Sequence, residues 1–440
     1  MSNAENPRQL ALRSLVRCEK DGKFANLEVN AALRGANLSD LDRGLYTALV
    51  YGVAERALTL DYMISALSDR PIGELDAETK NAIRMGLYQL RFMDKIPTHA
   101  AVSESVEAVG RRSRGFVNAI LRAYLRKKDA IVYPERADGF DRYLSVKHAI
   151  PEAICRLWRE GYGEDVAEAL AEAANWQTPL TLRVNTVKTD AASLLAALAE
   201  RGVEAEVHPV FADMLTVRGG GAISRLSDFI EEGRFFVQDP ASRACVWALG
   251  AKPGERILDT CAAPGGKSFS AAVQMENRGE LLSCDLHKSK ISLIESGAKR
   301  LGITILRAEC RDGKEFVPAD AEAYDRVLCD VPCSGLGVLA KKPDIRHRPL
   351  DGMDALCATQ RAILSTAARY VKAGGTLCYS TCTLNPRENE EAVREFLAGH
   401  PEFAPADFAV GPIRSREGMY TFFPGPISTD GFFVAVMKRK

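Results

Sequence analysis

The sequence predicts a multidomain protein with an all-α helical domain, a small α/β module and a larger α/β domain built on a parallel sheet. A chain of 440 residues exceeds what one ordinary hydrophobic core organises. The first 130 or so residues show helical periodicity without strand-like alternation, whereas strand-like and helix-like segments alternate from residue 237 onward. That alternation is typical of a parallel sheet covered by helices on both faces. We expect domains at 1–138, 139–236 and 237–440.

The amino-terminal domain is predicted to be a helical bundle. Ser39 and Asp42 have the spacing of a helix start, and Leu41, Leu45, Leu49 and Val53 are expected on one apolar helix face. In an all-helical domain, such apolar stripes are buried against those of neighbouring helices, so a bundle is the expected architecture.

A basic segment without any acidic residue follows between positions 111 and 128. Such a segment is usually the solvated face of a helix, and the alternative is a surface that binds nucleic-acid phosphates. Both interpretations are open on sequence alone. The basic residues are Arg111, Arg112, Arg114, Arg122, Arg126, Lys127 and Lys128.

The middle segment combines a helical stretch at 150–176 with a small α/β pattern. Residues 181–185 read as a strand, 191–201 as a helix and 203–217 as two short strands. We therefore expect a helical linker followed by a compact α/β module.

The last domain shows five candidate strands with helices between them, including helices at 288–301 and 357–371. In a parallel sheet, reactive and ligand-binding groups gather where the strands end. The candidate strands are 256–261, 281–286, 304–308, 325–330 and 376–380.

Composition excludes few classes of function. Lys and Arg total 58, as do Asp and Glu, so overall charge does not indicate a polyanionic partner. The 11 cysteines are an odd number, several lie in apolar segments, and no apolar run is long enough to span a membrane. We expect free thiols and a cytoplasmic protein without membrane association.

A glycine-containing turn after the first strand of this domain predicts a nucleotide-like cofactor site. Two glycines allow a ligand close to the backbone, and the helix start beyond them directs N–H groups at it. Asp285 ends the next strand, where a carboxylate can accept from ribose hydroxyls. Asp312 follows the third strand, where it either holds an adenine amine or caps a helix. A dinucleotide and S-adenosylmethionine fit this spacing equally. The turn comprises Cys261, Ala262, Ala263, Pro264, Gly265, Gly266 and Lys267.

Two cysteines occupy the ends of the last two strands. Cys333 follows Asp330 in Asp-Val-Pro-Cys, and Cys382 follows a strand in Ser-Thr-Cys. Two thiols and an acid at one sheet edge favour covalent catalysis. Their spacing from Cys329 and Cys378 also fits a zinc motif, but residues four apart on a strand are too distant to chelate, so we predict no metal site.

These segments resemble the RNA cytosine-C5 methyltransferase family over residues 237–440. Further segments in the first 122 residues are similar to the NusB-type RNA-binding helical domain, and this fusion is characteristic of the RsmB (Fmu/Sun) family. The segments of the first group are Ala262–Lys267, Asp330–Gly335, Lys342–Asp344, Ser380–Cys382, Pro386–Glu390 and Asp430–Val434, and those of the second are Tyr51–Gly52, Ile83–Leu90, Pro97–Val102 and Gly115–Arg122.

The resemblance implies a Rossmann-like catalytic domain that depends on S-adenosyl-L-methionine (SAM), and an RRM- or ferredoxin-like RNA-binding module before it. The implied product is 5-methylcytosine in 16S ribosomal RNA, at cytosine 967. By this resemblance Cys382 is the nucleophile, Cys333 assists product release, Asp330 contacts the ring, and the turn with Asp285, Asp312 and Asp330 binds SAM. Lys267 either lowers the pKa of the thiol or orients the substrate, or it merely closes the start of the helix.

Four other functions compete with this prediction. The chain could methylate transfer RNA or another ribosomal cytosine, or could be a non-catalytic RNA-binding factor on a methyltransferase fold. DNA cytosine methylation disagrees with the Thr-Cys thiol, and small-molecule methylation leaves the first 235 residues without a purpose. We expect ribosomal RNA of the small subunit as partner, with no DNA and no obligate protein partner.

Overall fold

The computed structural model describes residues 5–176, 178–219, 226–425 and 429–440. The chain forms two compact units: Met1–Trp176 with Leu339–Arg348, and Gln177–Val338 with Pro349–Lys440. The domain boundaries expected after residues 138 and 236 stay predictions.

The first unit is helical, as predicted. Ser39 starts α3, because its hydroxyl accepts from the Asp42 amide at 3.2 Å and donates to the Asp42 carboxylate at 2.7 Å. Leu49 and Val53 are buried in the core of this bundle, whereas the prediction for Leu41 is wrong, since its side chain is 88% exposed. Each step of four residues turns by about 40° around a helix, so Leu41 lies well away from the face of Val53. The helices are α1 Pro7–Asp21, α2 Ala25–Gly35, α3 Asp40–Leu67, α4 Ala77–Phe92, α5 Thr98–Glu107, α6 Arg111–Lys127, α7 Phe140–His148, α8 Glu152–Tyr162 and α9 Glu164–Ala173.

A short 3₁₀ helix at Pro343–His347 completes this unit. Arg346 is fully buried there and donates to the Glu55 carbonyl at 2.7 Å and to the Asn175 side chain at 2.9 Å. Burial lowers the pKa of its guanidinium to about 10. Buried polar groups of this kind hold a segment in one place, because leaving them unpaired is expensive.

The small α/β module opens the second unit. Its four strands form an antiparallel sheet in the order β2-β3-β1-β4, with α10 packed beside it. Its elements are β1 Leu180–Val184, α10 Ala191–Glu200, β2 Ala205–Val207, β3 Met214–Val217, α11 Ser227–Glu231 and β4 Phe235–Val237.

The larger sheet of the second unit follows the order β10-β14-β9-β8-β5-β6-β7, with β13 also paired to β14. Strands β5 to β9 pair in parallel, as predicted, whereas β14 runs antiparallel to β9 and carries β10 and β13 on its other side. The elements are α12 Pro240–Leu249, β5 Arg256–Asp259, α13 Gly266–Gln274, β6 Glu280–Asp285, α14 Lys288–Leu301, β7 Leu306–Cys310, β8 Tyr324–Asp330, α15 Met353–Ala368, β9 Val371–Thr381, α16 Glu390–Gly399, β10 Phe403–Pro405, β11 Ala409–Val410, β12 Ile413–Arg414, β13 Met419–Phe422 and β14 Phe432–Arg439.

The prediction of a helix at 357–371 is wrong at the carboxyl end of that helix. α15 stops at Ala368, and Val371 already begins β9, where it pairs with Tyr324. Gly374, at φ 73°, then allows a register shift between Tyr324 and Arg326. A buried valine serves a helix or a strand equally well, so local pattern did not separate the two.

None of the helices in the described part of the chain is long and apolar enough to cross a lipid bilayer.

Candidate active site

The structure brings the two predicted thiols together. Cys333 lies three residues beyond the end of β8, and Cys382 directly follows β9. Because these strands are parallel neighbours, both turns leave the same sheet edge, and the two sulfur atoms lie 3.2 Å apart. Both cysteines are half-buried, and neither is part of a disulfide. The arrangement places a thiol within hydrogen-bond reach of a second sulfur.

The two thiols share one hydrogen bond. This bond to Cys382, together with burial, raises the pKa of the Cys333 thiol well above its usual value. A raised pKa means that Cys333 keeps its proton, so its S–H group can donate to the sulfur of Cys382.

A charged pair lies at the end of β8. The Asp330 carboxylate accepts from Lys267 Nζ at 2.8 Å through one oxygen and from the Ser380 hydroxyl at 2.7 Å through the other. Burial alone would lower the pKa of the Lys267 ammonium, but the Asp330 carboxylate outweighs it and raises that pKa above the usual value. Lys267 is therefore a cation, and its partner is the acid that sequence analysis placed beside the thiols.

The glycine-containing turn joins β5 to α13. Gly265 has φ 109°, and a Cβ there would lie 2.3 Å from the Phe269 ring. Gly266 starts α13, and no atom lies within 4 Å of where its Cβ would stand. The turn therefore packs tightly on its inner side and borders open space on its outer side.

Asp285 and Asp312 follow neighbouring strands β6 and β7. The two Asp285 oxygens accept from the Ala263 amide at 3.3 Å and the His287 amide at 3.0 Å. Asp312 accepts from the Lys314 amide at 2.9 Å within a turn; because no helix starts at this described segment, the helix-cap alternative considered from sequence is wrong. Each carboxylate oxygen has a second lone pair, so both residues retain acceptor capacity.

Cys261 and Ala262 begin the same turn. The Ala262 amide donates to the Cys284 carbonyl at 2.7 Å, which ties the turn to β6. Cys261 is half-buried, and burial raises the pKa of its thiol. A thiol with a raised pKa is a poor nucleophile, so Cys261 does not compete with the sulfur pair.

Two cysteines of the strands pack in the core, as expected from their apolar neighbours. Cys329 and Cys378 are fully buried, and burial raises the pKa of the Cys329 thiol to about 12. Neither reaches the sheet edge that carries Cys333 and Cys382. Within the described residues, no group of three or more His, Cys, Asp or Glu side chains is arranged to hold a metal ion.

Sequence analysis missed Asp259, the last residue of β5. Its carboxyl is only 1% exposed and accepts from the Ser268 hydroxyl at 2.6 Å. Burial, together with the nearby Asp330 carboxylate, raises its pKa to about 7, although the Ser268 hydrogen bond acts in the opposite direction. Its place at a parallel strand end, like that of Asp285, was the signal available.

Sequence analysis also missed the role of Glu388, although it lies in the Pro386–Glu390 segment that carries the family resemblance. Glu388 is fully buried and accepts four hydrogen bonds, two of them from Ser334 in the loop that carries Cys333. A buried acid in a sequence motif was the available signal, but its partners are distant in the chain.

The basic residues of α6 lie on a solvent-exposed side of the helix. All seven are exposed, whereas Val117, Leu121 and Tyr124 are buried in the helical core. Positions 111, 122 and 126 fall on one side by helical spacing. These basic side chains are exposed, as contact with RNA phosphates requires. Their exposure fits the solvated-face interpretation equally well.

Three family models match consecutive parts of the chain. Residues 5–126 match the NusB family, and residues 150–224 match the ferredoxin-like domain of RsmF/B-like methyltransferases. Residues 246–438 match the 16S rRNA methyltransferase RsmB/F model.

Similar curated proteins extend over almost the whole length. The probable ribosomal RNA small subunit methyltransferase B of Bacillus subtilis is 36% identical, and the match covers 98% of each chain. The chain belongs to the RsmB/F family of 16S rRNA methyltransferases. The Klebsiella pneumoniae ribosomal RNA small subunit methyltransferase B is 32% identical over 100% of both chains.

Solved structures agree with this membership of the RsmB/F family. The crystal structure of PH0851 has a TM-score of 0.80 and 26% sequence identity, and covers 98% of this chain and 99% of that one. The methyltransferase homolog protein from Pyrococcus horikoshii has a TM-score of 0.59 and 26% identity, covering 68% of this chain and 98% of its own.

SAM is the cofactor of this family. The described residues fit it, because the open space beside Gly266 and the spare acceptors of Asp285 and Asp312 suit a nucleoside with a charged chain. The helix start at Gly266 presents backbone N–H groups to a carboxylate.

Proposed function

We propose that this chain methylates carbon 5 of a cytosine in 16S ribosomal RNA through a covalent bond between Cys382 and carbon 6. The single observation that carries the proposal is the 3.2 Å contact between the sulfurs of Cys382 and Cys333, beside the Asp330–Lys267 pair. The family resemblance of the sequence implies cytosine 967 as the target, and we propose that target here.

The covalent step addresses the weak nucleophilicity of carbon 5 in cytosine. The Cys382 sulfur attacks carbon 6, the carbon 5–carbon 6 electron pair shifts through the ring, and negative charge builds at N3. Asp330 faces that charge, and the proton that N3 takes up can pass from Lys267 through the 2.8 Å hydrogen bond. Lys267 is then a source of positive charge and of a proton in this proposal.

When bound, SAM supplies an electrophilic methyl group to carbon 5. Asp285 and Asp312 would hold its ribose and adenine, and the Gly265–Gly266 turn would hold its methionine end. These residues orient and enclose the cofactor, whereas the thiols act on the base.

Product release reverses the covalent bond. The proton on carbon 5 passes to solvent, its electron pair restores the carbon 5–carbon 6 double bond, and the carbon 6–sulfur pair returns to Cys382. N3 returns its proton through Asp330 to Lys267, so the product is neutral 5-methylcytosine. The Cys333 thiol, 3.2 Å away, donates a hydrogen bond to the departing sulfur. Its raised pKa supports this assignment, because Cys333 keeps the proton that it needs to donate.

The exposed basic residues of α6 support RNA as the substrate. Phosphate contacts by arginine provide sequence-independent affinity, which offsets the few kcal/mol needed to unstack a target base. The small α/β module is the second RNA-binding element that we propose, because it precedes the catalytic sheet in the same compact unit.

The test is methyl transfer and adduct formation by cysteine variants on small-subunit ribosomal RNA. Cys382→Ser is expected to abolish 5-methylcytosine formation, and Cys333→Ala to form a stable protein–RNA adduct on a denaturing gel. Cys18→Ala removes a half-buried thiol of the helical unit and serves as the control, with normal activity expected.

The competing functions predict other results. Full activity of Cys382→Ser would disprove the role of this sulfur, and higher activity on transfer RNA would change the substrate. A wild-type chain that binds ribosomal RNA but incorporates no methyl group from labelled SAM would be the non-catalytic RNA-binding factor.

A further inference from the structure

The two loops that carry the reactive cysteines are joined by one buried hydrogen-bond network. The Ser334 hydroxyl and the Thr383 hydroxyl lie 2.6 Å apart, and each residue directly follows a cysteine of the pair. Thr383 also accepts from the Leu336 amide at 3.2 Å, while the Gly337 amide donates to the Cys382 carbonyl at 3.1 Å. The sulfur–sulfur distance is thus set by loop-to-loop contacts rather than by the sheet alone.

Glu388 lies at the centre of this network. One of its carboxylate oxygens accepts from the Ser334 amide at 2.9 Å and from Gln360 at 2.8 Å. The other accepts from the Ser334 hydroxyl at 2.5 Å and from Asn385 at 2.8 Å. Four donors therefore converge on two oxygens of a side chain with no exposed surface.

The chemistry of four converging donors requires a carboxylate. A carboxylate has two acceptor oxygens and no donor, whereas an amide has one oxygen and an NH₂ group that would face two of these donors. Buried charges are poor sources of stability compared with apolar packing, so a fully buried acid at this place points to a positional role.

The network restrains Cys333 more than Cys382. Gln360 donates to the Pro332 carbonyl at 2.9 Å, so Glu388 and Gln360 together hold both neighbours of Cys333. Cys382 instead continues the β9 strand, whose ladder to β8 extends to Ser380. Loosening the network should displace the Cys333 sulfur and leave the Cys382 sulfur in place.

We propose that Glu388 is a positioning residue that holds the Cys333 thiol against the sulfur of Cys382 for product release. The proposal rests on the roles of the two cysteines proposed above. Glu388 touches no reacting atom and acts through Ser334. In the release step the carbon 6–sulfur bond breaks, its electron pair goes to the Cys382 sulfur, and the Cys333 S–H group must be near enough to donate to it.

The test compares Glu388→Gln with Glu391→Gln, an exposed acid three residues along the same segment. Purified full-length variants react with small-subunit ribosomal RNA and labelled SAM, and a denaturing gel separates adduct from released product. We expect the adduct-to-product ratio to rise at least tenfold in Glu388→Gln, with SAM affinity within twofold of wild type. Glu391→Gln should match the wild type in both measurements.

A double variant separates positioning from a general structural defect. If Glu388 acts through Cys333, then Glu388→Gln in a Cys333→Ala background adds nothing to the adduct ratio of Cys333→Ala alone. A further multiplicative rise in the double variant would show that Glu388 acts elsewhere and would overturn the proposal.

Failure of this inference is distinguishable from failure of the proposed function. An adduct with Cys333→Ala beside an unchanged ratio in Glu388→Gln overturns only the role of Glu388, whereas no adduct with Cys333→Ala removes both. If Glu388→Gln does not fold, as judged by circular dichroism, Ser334→Ala decides, because it removes the hydroxyl contacts to Glu388 and Thr383 and keeps the backbone. A raised ratio in Ser334→Ala supports the proposal, and an unchanged ratio overturns it.

Discussion

Replacing Asp259 by asparagine is expected to stabilise the catalytic unit at pH 8 much more than at pH 5. Asp259 is fully buried at the end of β5. Its carboxyl accepts hydrogen bonds from the Ser268 hydroxyl and the Cys261 amide, and neither donor is charged. Asparagine has nearly the same shape and keeps one oxygen for the Ser268 hydroxyl. The substitution therefore removes the titration and little else.

The magnitude follows from the pKa of Asp259, which folding raises from 3.8 to about 7. Because the folded chain holds this proton more tightly, the free energy of unfolding falls as pH rises from 3.8 to 7, by about 1.4 kcal/mol per unit. Above pH 7 the free energy of unfolding is lower by about 4 kcal/mol than at low pH, and about 2 kcal/mol of this loss has already occurred at pH 5. The stability difference between Asp259→Asn and wild type should thus grow by about 2–3 kcal/mol between pH 5 and pH 8.

The assay is urea unfolding of the full chain at pH 5, 6, 7 and 8, followed by circular dichroism. Asp325→Asn is the control: burial alone would raise the pKa of Asp325, but hydrogen bonds from Lys372 and the Arg256 amide lower it below its usual value. Since Asp325 stays ionised from pH 5 to 8, its variant should lose the same stability throughout. An Asp259→Asn effect that is constant across this range would refute the reasoning.

Three further predictions concern the cofactor turn and the RNA surface. Asp285→Ala should weaken SAM binding at least tenfold, measured by calorimetry, because it removes the acceptor for ribose; unchanged affinity would exclude this role. Gly265→Ala should lower the free energy of unfolding by about 2–4 kcal/mol, because its Cβ meets the Phe269 ring at φ 109°, whereas Gly266→Ala should keep stability and weaken SAM binding. Arg122→Ala with Arg126→Ala should weaken ribosomal RNA binding and reduce its salt dependence, by a slope of about 0.7 per lost phosphate contact; an unchanged slope would assign α6 to a purely solvated face.

The strand ends of the catalytic domain could be predicted from sequence because each strand is a short apolar run followed by a polar turn. Asp285, Asp330, Cys333 and Cys382 all follow such runs, and parallel strands bring their carboxyl ends to one edge. The 3.2 Å sulfur contact agrees with that prediction of proximity. Their catalytic roles stay predictions until the variants are measured.

Other features depend on contacts between residues far apart in the chain. The partner of Lys267 could not be chosen from local sequence, because a lysine at a helix start faces solvent in many proteins. Lys267 meets Asp330 only when the fold brings the start of α13 to the end of β8. The strand that replaces the end of the predicted helix at Val371 is likewise decided by its pairing with Tyr324. Tertiary pairing overrides local propensity at both places.

The sequence by itself determined the order of the domains, the turn after β5 and the presence of two thiols just beyond two strand ends. These features depend on residue type and short-range spacing. Only the tertiary structure decided which acid has a raised pKa and which acid holds the loops together. Burial of Asp259 and the four donors around Glu388 arise from separate segments, and desolvation and hydrogen bonding depend on how those segments pack.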